Sequence, residues 1–260
     1  MSRPPPFNGA SRGDTSDVEL FEIRAEMSMD DRRRLRDTNG VMIAIAHDGD
    51  HLFVGSEVPD AVVPLLVDAV NGSPRAARFD DEPPAIESCR RILEWSHGSL
   101  SLRRGPVYVV ASDIRDDSDA EIVRSDGTVV DRLRAANPGN WEPDEWNELL
   151  DGTLGPWTAA IVGGRVVSIA HTPCPMTARA AECGVWTESL HRGRGYAAAT
   201  TAAWATILRP TGRCLFYATD AENLSSRRVA ARLGLRCIGW IWKLERSNPT
   251  RSARHPLSRR

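Results

Sequence analysis

Lysine is almost absent: Lys243 is the single one among 33 basic residues, so nearly every positive charge is a guanidinium. Neither sign of charge is in much excess. The formal net charge of −2 excludes the global basic field of a general nucleic-acid or anionic-membrane binder. Five cysteines (Cys89, Cys174, Cys183, Cys214 and Cys237) are odd in number and never spaced as CxxC. That argues against a disulfide framework or a zinc site and for a reducing compartment. Apolar runs of membrane-spanning length are missing, and the opening "MSRPPPFNGASRGDTSD" lacks the apolar stretch of a signal peptide. A cytoplasmic protein without membrane contact is expected. Two phosphate-binding signatures are missing as well: there is no GxxxxGK[ST] and no GxGxxG.

What is present is a 260-residue chain, 41% hydrophobic, ample for one large core or two modest ones. Residues 1–30 are expected to be a flexible segment and 246–260 a disordered basic tail. Between them "VMIAIAHDGDHLFVGSEV" reads as a hairpin turning at Asp48-Gly49, and "PDAVVPLLVDAV" and "PPAIESCRRILEW" read as helices. Residues 31–105 are therefore expected to form a smaller α+β domain packed against the rest of the chain. His47 and His51 flank its turn without a partner set for a metal.

From residue 106 the signals are denser. "GPVYVV" reads as a strand, "DGTVVDRLRAAN" and "EPDEWNELLDG" as short helices, and "WTAAIVGGRVVSIAHT" as a hairpin on Gly163-Gly164. "AAECGVWT" is a further strand, followed by the turn "ESLHRGRG" and the alanine-rich helix "YAAATTAAWATIL". "GRCLFYAT", "NLSSRRVAARLGL" and "CIGWIWKLE" then read as strand, helix and strand, with Asn223 as a helix N-cap. This order describes an α/β (α+β) fold with a mixed, mostly antiparallel sheet that becomes parallel across the alanine-rich helix.

The turn before that helix is unusual. Arg192 and Arg194 suit the negative end of a helix, and Gly193 and Gly195 cost backbone entropy, yet all four stand where a helix begins. A strand, a glycine turn and a helix N-terminus together form an anion site: first-turn N–H groups lack partners, and the dipole is positive there.

These residues resemble the GNAT superfamily of acyl-CoA-dependent N-acyltransferases. Arg192, Gly195 and Ala197 of "RGRGYA" fill the fixed positions of its pyrophosphate loop, R/Q-x-x-G-x-G/A. "AECGVWT" is similar to the family's fourth strand. Asn223, Ser226, Val229, Leu233 and Gly234 match its Asn-x-x-Ser-x-x-Val…Leu-Gly pattern. The resemblance covers roughly residues 107 to 245 and implies a GNAT domain over 106–245, with residues 31–105 lining its acceptor cleft and open to reading as a degenerate second copy of the fold.

Acetyl-CoA as cosubstrate follows from that resemblance, with a small-molecule or peptide amine as acceptor and a monomer or homodimer as the assembly. Nucleic acid is not expected as a partner. Arg192, Gly193, Arg194, Gly195, Tyr196 and Ala197 would hold the pyrophosphate, and Val185, Trp186 and Thr187 the pantetheine arm and thioester carbonyl. Asn223 and Ser226 would flank the same arm. Glu182 would be the general base, although a water could serve instead. Ser226, or else Tyr217, would protonate the leaving thiolate, because the tyrosine common on this helix is replaced by "VAAR" with Ala230. That gap leaves an inactive acyl-CoA-binding regulatory module as the alternative. His171 and His191 are read as structural or exposed, and Trp186, Trp204, Trp240 and Trp242 as core or pocket wall. Cys183 has no histidine partner that would make it a nucleophile.

Overall fold

The computed structural model describes residues 15–97, 100–111, 114, 121–127 and 133–246. The expected tail beyond 246, the first fourteen residues and the middle of the helix expected at 126–137 lie outside the described residues. In chain order the elements are α1 (Asp17–Ala25), β1 (Val41–Ala46), β2 (Asp50–Val54), α2 (Val63–Asn71), α3 (Pro84–His97), β3 (Leu100–Val109) and β4 (Glu121–Arg124). There follow α4 (Pro143–Leu150), β5 (Trp157–Val162), β6 (Arg165–His171), β7 (Ala180–Thr187), α5 (Tyr196–Leu208), β8 (Cys214–Ala218), α6 (Leu224–Arg232) and β9 (Arg236–Arg246).

The nine strands among the described residues join one sheet in the order β2-β1-β9-β3-β8-β7-β6-β5-β4. Among the described residues only β7 and β8 pair in parallel, across the helix α5, as the sequence suggested. The layout differs from the expected two units. β9 pairs with β1 on one side and β3 on the other. The boundary expected at 105/106 falls inside β3, and the 41–54 hairpin continues the same sheet. The physical reason is that β1 is apolar and buried at every position, so it needs a partner on both edges and a cover on both faces.

Helices α2, α3, α5 and α6 cover one face. Val41, Ile43, Trp240 and Trp242 pack there with Leu66, Ile86 and Leu93, and Cys183 and Tyr217 pack with Ala198, Ala202 and Trp204. The alanines of α5 keep that helix close to the sheet, and Thr158 Oγ1 donates to the Thr200 carbonyl at 2.7 Å.

The opposite face is covered by α4 and by α1, a helix inside the segment expected to be flexible. Ser16 caps α1, its Oγ accepting from Glu19 N at 3.1 Å. Leu20, Phe21 and Ile23 are buried against Ala180, Phe216 and Ile238. At roughly 1.5–3 kcal/mol for each large apolar side chain, that burial outweighs the ordering of one short helix.

Candidate functional site

The parallel pair opens into a fork. β7 and β8 are in register from Ala180↔Cys214 to Cys183↔Tyr217, whereas Gly184–Thr187 pair only with β6. Glu188 N donates to the Val167 carbonyl of β6 at 2.9 Å, and backbone direction alternates along a strand. The N–H groups of Val185 and Thr187 therefore turn away from β6, into the gap left by β8. The same alternation sends the Val185 side chain to the α5/α6 face and the Trp186 side chain to the α1/α4 face, where it meets Trp141 at 5.5 Å.

At the mouth of the fork stands the N-terminus of α5. Gly195 occupies the cap position with φ 89°, and no side chain caps the helix. The first helical bond runs from Ala199 N to the Gly195 carbonyl, so the N–H groups of the first turn have no intrahelical acceptor. Gly193 is also left-handed, at φ 78°. Arg192 and Arg194 are exposed, and Arg192 Nε donates to the Thr187 carbonyl at 3.3 Å, tying the turn back to the strand. Tyr196 lies 6.2 Å from His191, which Glu188 holds at 2.7 Å.

Sequence reading overlooked Arg232. Its guanidinium, reaching over from α6, would lie 2.9 Å from a Cβ placed on Gly195, so it packs directly on the turn. Helix phase does not point to it, because Arg232 lies about 2.5 turns beyond Asn223 and about 1.7 beyond Ser226, on the face of neither. Three arginines thus surround the positive end of a helix, where an anion is favoured by about 0.3–1 kcal/mol for each interaction.

Tyr217 sits at the crotch of the fork on the α5/α6 face and is 1% exposed. Its hydroxyl is buried with no hydrogen-bond partner of good geometry. Burial pushes the phenol well above its ordinary range; Ser226 is near enough to oppose that shift, though it does not satisfy the hydroxyl. The Asn223 Oδ1 accepts from Ser226 N at 3.1 Å and from Ser225 Oγ at 3.0 Å, so its acceptor oxygen is used in capping α6.

Glu182 points the other way, to the α1 face, where its Oε2 meets Arg24 at 2.6 Å with both side chains mostly buried. It does not share a face with Tyr217 and Ser226; the three flank the fork from opposite sides. His171 also lies on the α1/α4 face, stacked over Gly184, where a Cβ would approach its Nε2 at 3.1 Å. Burial raises the Cys183 thiol above the usual range, which favours the protonated form. Among the described residues no group of three or more His, Cys, Asp or Glu could hold a metal, and no helix is long and apolar enough to cross a membrane.

No protein-family model and no curated protein matches the chain. Solved structures do. A protein of Novosphingobium aromaticivorans DSM 12444 assigned to the GNAT acetyltransferases is 22% identical over 57% of this chain and 66% of its own, with a TM-score of 0.42. This chain thus spans just under two thirds of that protein. An acetyltransferase from the GNAT family of Colwellia psychrerythraea is 12% identical over 88% of this chain and 96% of its own, with a TM-score of 0.44. The structure of AAC(6')-Iy in complex with the bisubstrate analog CoA-S-monomethyl-acetylneamine is 20% identical over 45% of this chain and 90% of its own, with a TM-score of 0.35. At such identities and TM-scores the likeness carries nothing about activity, which has to come from the chain's own residues. What those residues present is a mixed sheet flanked by helices, forked beside an uncapped, arginine-ringed helix N-terminus, in a chain whose structural neighbours include proteins assigned to the GNAT acetyltransferases.

Proposed function

We propose that this chain is an N-acetyltransferase that moves the acetyl group of acetyl-CoA to a primary amine by direct attack within a ternary complex. The observation that carries the reading is the fork: N–H groups of β7 released from sheet pairing, opening onto an uncapped helix N-terminus. A ligand with a pyrophosphate at one end and an amide-bearing arm at the other complements both.

In this reading the first-turn N–H groups of α5, with Arg192, Arg194 and Arg232, bind the pyrophosphate. The pantetheine arm runs beside Gly184–Thr187 as a substitute strand. Val185 N–H donates to the thioester oxygen and strengthens its bond as that oxygen becomes an oxyanion. The amine nitrogen attacks the carbonyl carbon, the C–S bond breaks, and the sulfur leaves with its electron pair. A proton from the Tyr217 or Ser226 side reaches that sulfur, while the amine proton departs on the opposite face toward Glu182 or water. Base and acid on opposite faces of the sheet suit attack and departure on opposite sides of one carbonyl.

The ion pair that engages Glu182, together with the lack of a tyrosine on α6, supports a second reading as an acyl-CoA-binding module without turnover. One experiment tests both. Calorimetric titration with acetyl-CoA, followed by thiol-release measurements across a panel of primary amines, gives binding and turnover under the first reading and binding alone under the second. Absence of acetyl-CoA binding refutes both.

A further inference from the structure

A cavity of about 240 Å³ opens at the end of the sheet remote from the fork, along the outer edge of β2. Its walls come from both faces of that strand. Leu52 and Val54 share a face with Val63 and Val67 of the α2 region, while His51 and Phe53 look toward Met29 on the α1 side. A cavity bounded from both faces of an edge strand lies where a further strand would go.

The backbone there is open. Ala46 N donates to the Gly49 carbonyl, so alternation leaves His51 and Phe53 bonded to β1 and turns the N–H and C=O groups of Asp50, Leu52 and Val54 outward. Leu35 N donates to the Val54 carbonyl at 2.9 Å and its own carbonyl accepts from Ser56 N at 2.8 Å, so residue 35 covers the far end of the edge; Leu52 is left facing the cavity, with Asp50 next along the open edge. On α2, Val67 lines the cavity beside Val63 and is 39% exposed.

Charge identifies the occupant. The cavity is lined by Arg32, Arg33, Arg34 and His51 and by no carboxylate. Arg34 is committed to Asp60 at 2.6 Å, and His51 lies 3.4 Å from Glu22. Arg32 and Arg33 are exposed, and no carboxylate among the described residues pairs with either. The turn that presents them is fixed by hydrogen bonds. The Asp30 carboxylate accepts from Arg32 N at 2.9 Å and Arg34 N at 2.8 Å. It holds Arg33 at φ 59°, a conformation that L-residues adopt at a cost of about 1–2 kcal/mol.

We infer that this edge is a docking site for an extended acidic peptide, added along β2 as a tenth strand. Its backbone pairs with Leu52 and Asp50, one face of its side chains packs on Val63 and Val67, and its carboxylates meet Arg32 and Arg33. The inference does not depend on the acyl-transfer reading. It concerns the opposite end of the sheet and stands or falls without acetyl-CoA.

Fluorescence anisotropy tests it, using a labelled, end-blocked Glu-Val-Glu-Val-Glu peptide on the full chain. Saturable binding that weakens with salt is expected. Arg32→Glu combined with Arg33→Glu should weaken it at least about tenfold, or about 1.4 kcal/mol. Arg33→Gly should weaken it less while raising the melting temperature by relieving the left-handed backbone. Methylating the central peptide N–H should also reduce binding, because strand pairing uses that group. Equal binding of a Lys-Val-Lys-Val-Lys peptide, no saturable binding, or indifference to both arginine variants overturns the proposal. So does a dimer in solution that dissociates in the double variant, because a second copy would then own the edge.

Discussion

Replacing Tyr217 with phenylalanine separates stability from chemistry at the fork. The hydroxyl is buried and unsatisfied, a state that costs roughly 1–3 kcal/mol. Phenylalanine keeps the ring packing with Leu215 and Ala230, so the folded protein should gain rather than lose stability. A gain of about 1 kcal/mol corresponds to roughly 2–4 °C in Tm for a chain of this size. The same hydroxyl, facing a CoA sulfur, would donate to the thiolate, and a hydrogen bond to a charged group contributes about 1.5–3 kcal/mol. At 1.36 kcal/mol per unit, the thiol pKa of bound CoA should rise by about 1–2 units in the variant. Because burial holds the phenol protonated above its ordinary range, Tyr217 remains a donor throughout the titration. Thiolate absorbance of the CoA complex, followed against pH in wild type and variant, reads this without knowledge of the acceptor amine. A variant that is more stable yet leaves the thiol pKa in place would show that the hydroxyl never meets the sulfur. A variant that is less stable would show that the hydroxyl was satisfied after all.

Gly195→Ala adds a Cβ at φ 89° against the end of the flexible Arg232 side chain; it should cost about 1–2 kcal/mol in denaturant titrations and weaken acetyl-CoA binding about tenfold or more. Unchanged affinity in the folded variant would remove the turn from the phosphate site. Glu182→Gln should lower kcat by roughly 10²–10⁴-fold if the carboxylate accepts the amine proton; if pairing with Arg24 is its whole role, Tm falls and kcat does not. Burial pushes the Cys89 and Cys174 thiols up to about 11 from an ordinary 9.0, helped at Cys174 by the Glu182 carboxylate. The folded state therefore binds these protons more tightly than the unfolded state. Their contribution is complete below pH 9 and is lost as the pH rises toward 11, so a Cys89→Ala, Cys174→Ala double variant should show a flatter alkaline decline in denaturation midpoint. A fragment of residues 106–246 should be insoluble on expression, because it strips β1 and half of β3 from β9; a folded monomer would refute that dependence.

Elements with a strong local period were readable from the sequence alone. The hairpin at Asp48-Gly49, the glycine-turned hairpin at Gly163-Gly164, and the run from β7 through α5 to β8 appear where alternation, turn residues and helix spacing put them. β4 was not readable, because Glu121–Arg124 is too short and too charged to show a period. α1 was hidden by the proline-rich stretch before it, although Ser16 and the acids after it are ordinary helix-start signals. The single sheet was beyond local reading altogether. Nothing within β9 says that its two neighbours come from the first half of the chain. For the candidate site, the residues gathered at the fork could be named from sequence, but not the faces they occupy. Capture of Glu182 by Arg24 and the approach of Arg232 to Gly195 arise from elements that meet only in the folded chain.

The position of β9 between β1 and β3 bears on how the protein is made. Roughly 190 residues separate Ala46 from Arg236, about 10–40 s of synthesis at ribosomal rates of 5–20 residues per second. For that interval the nascent β1, apolar at all of its positions, has β2 on one side and an empty edge on the other. Such an edge recruits whatever strand is nearest, so crowded polysomes favour mispaired or swapped neighbours. Completion of this sheet should therefore wait on β9, and the newborn chain should depend on a chaperone that shields Val41–Ala46 until that strand arrives.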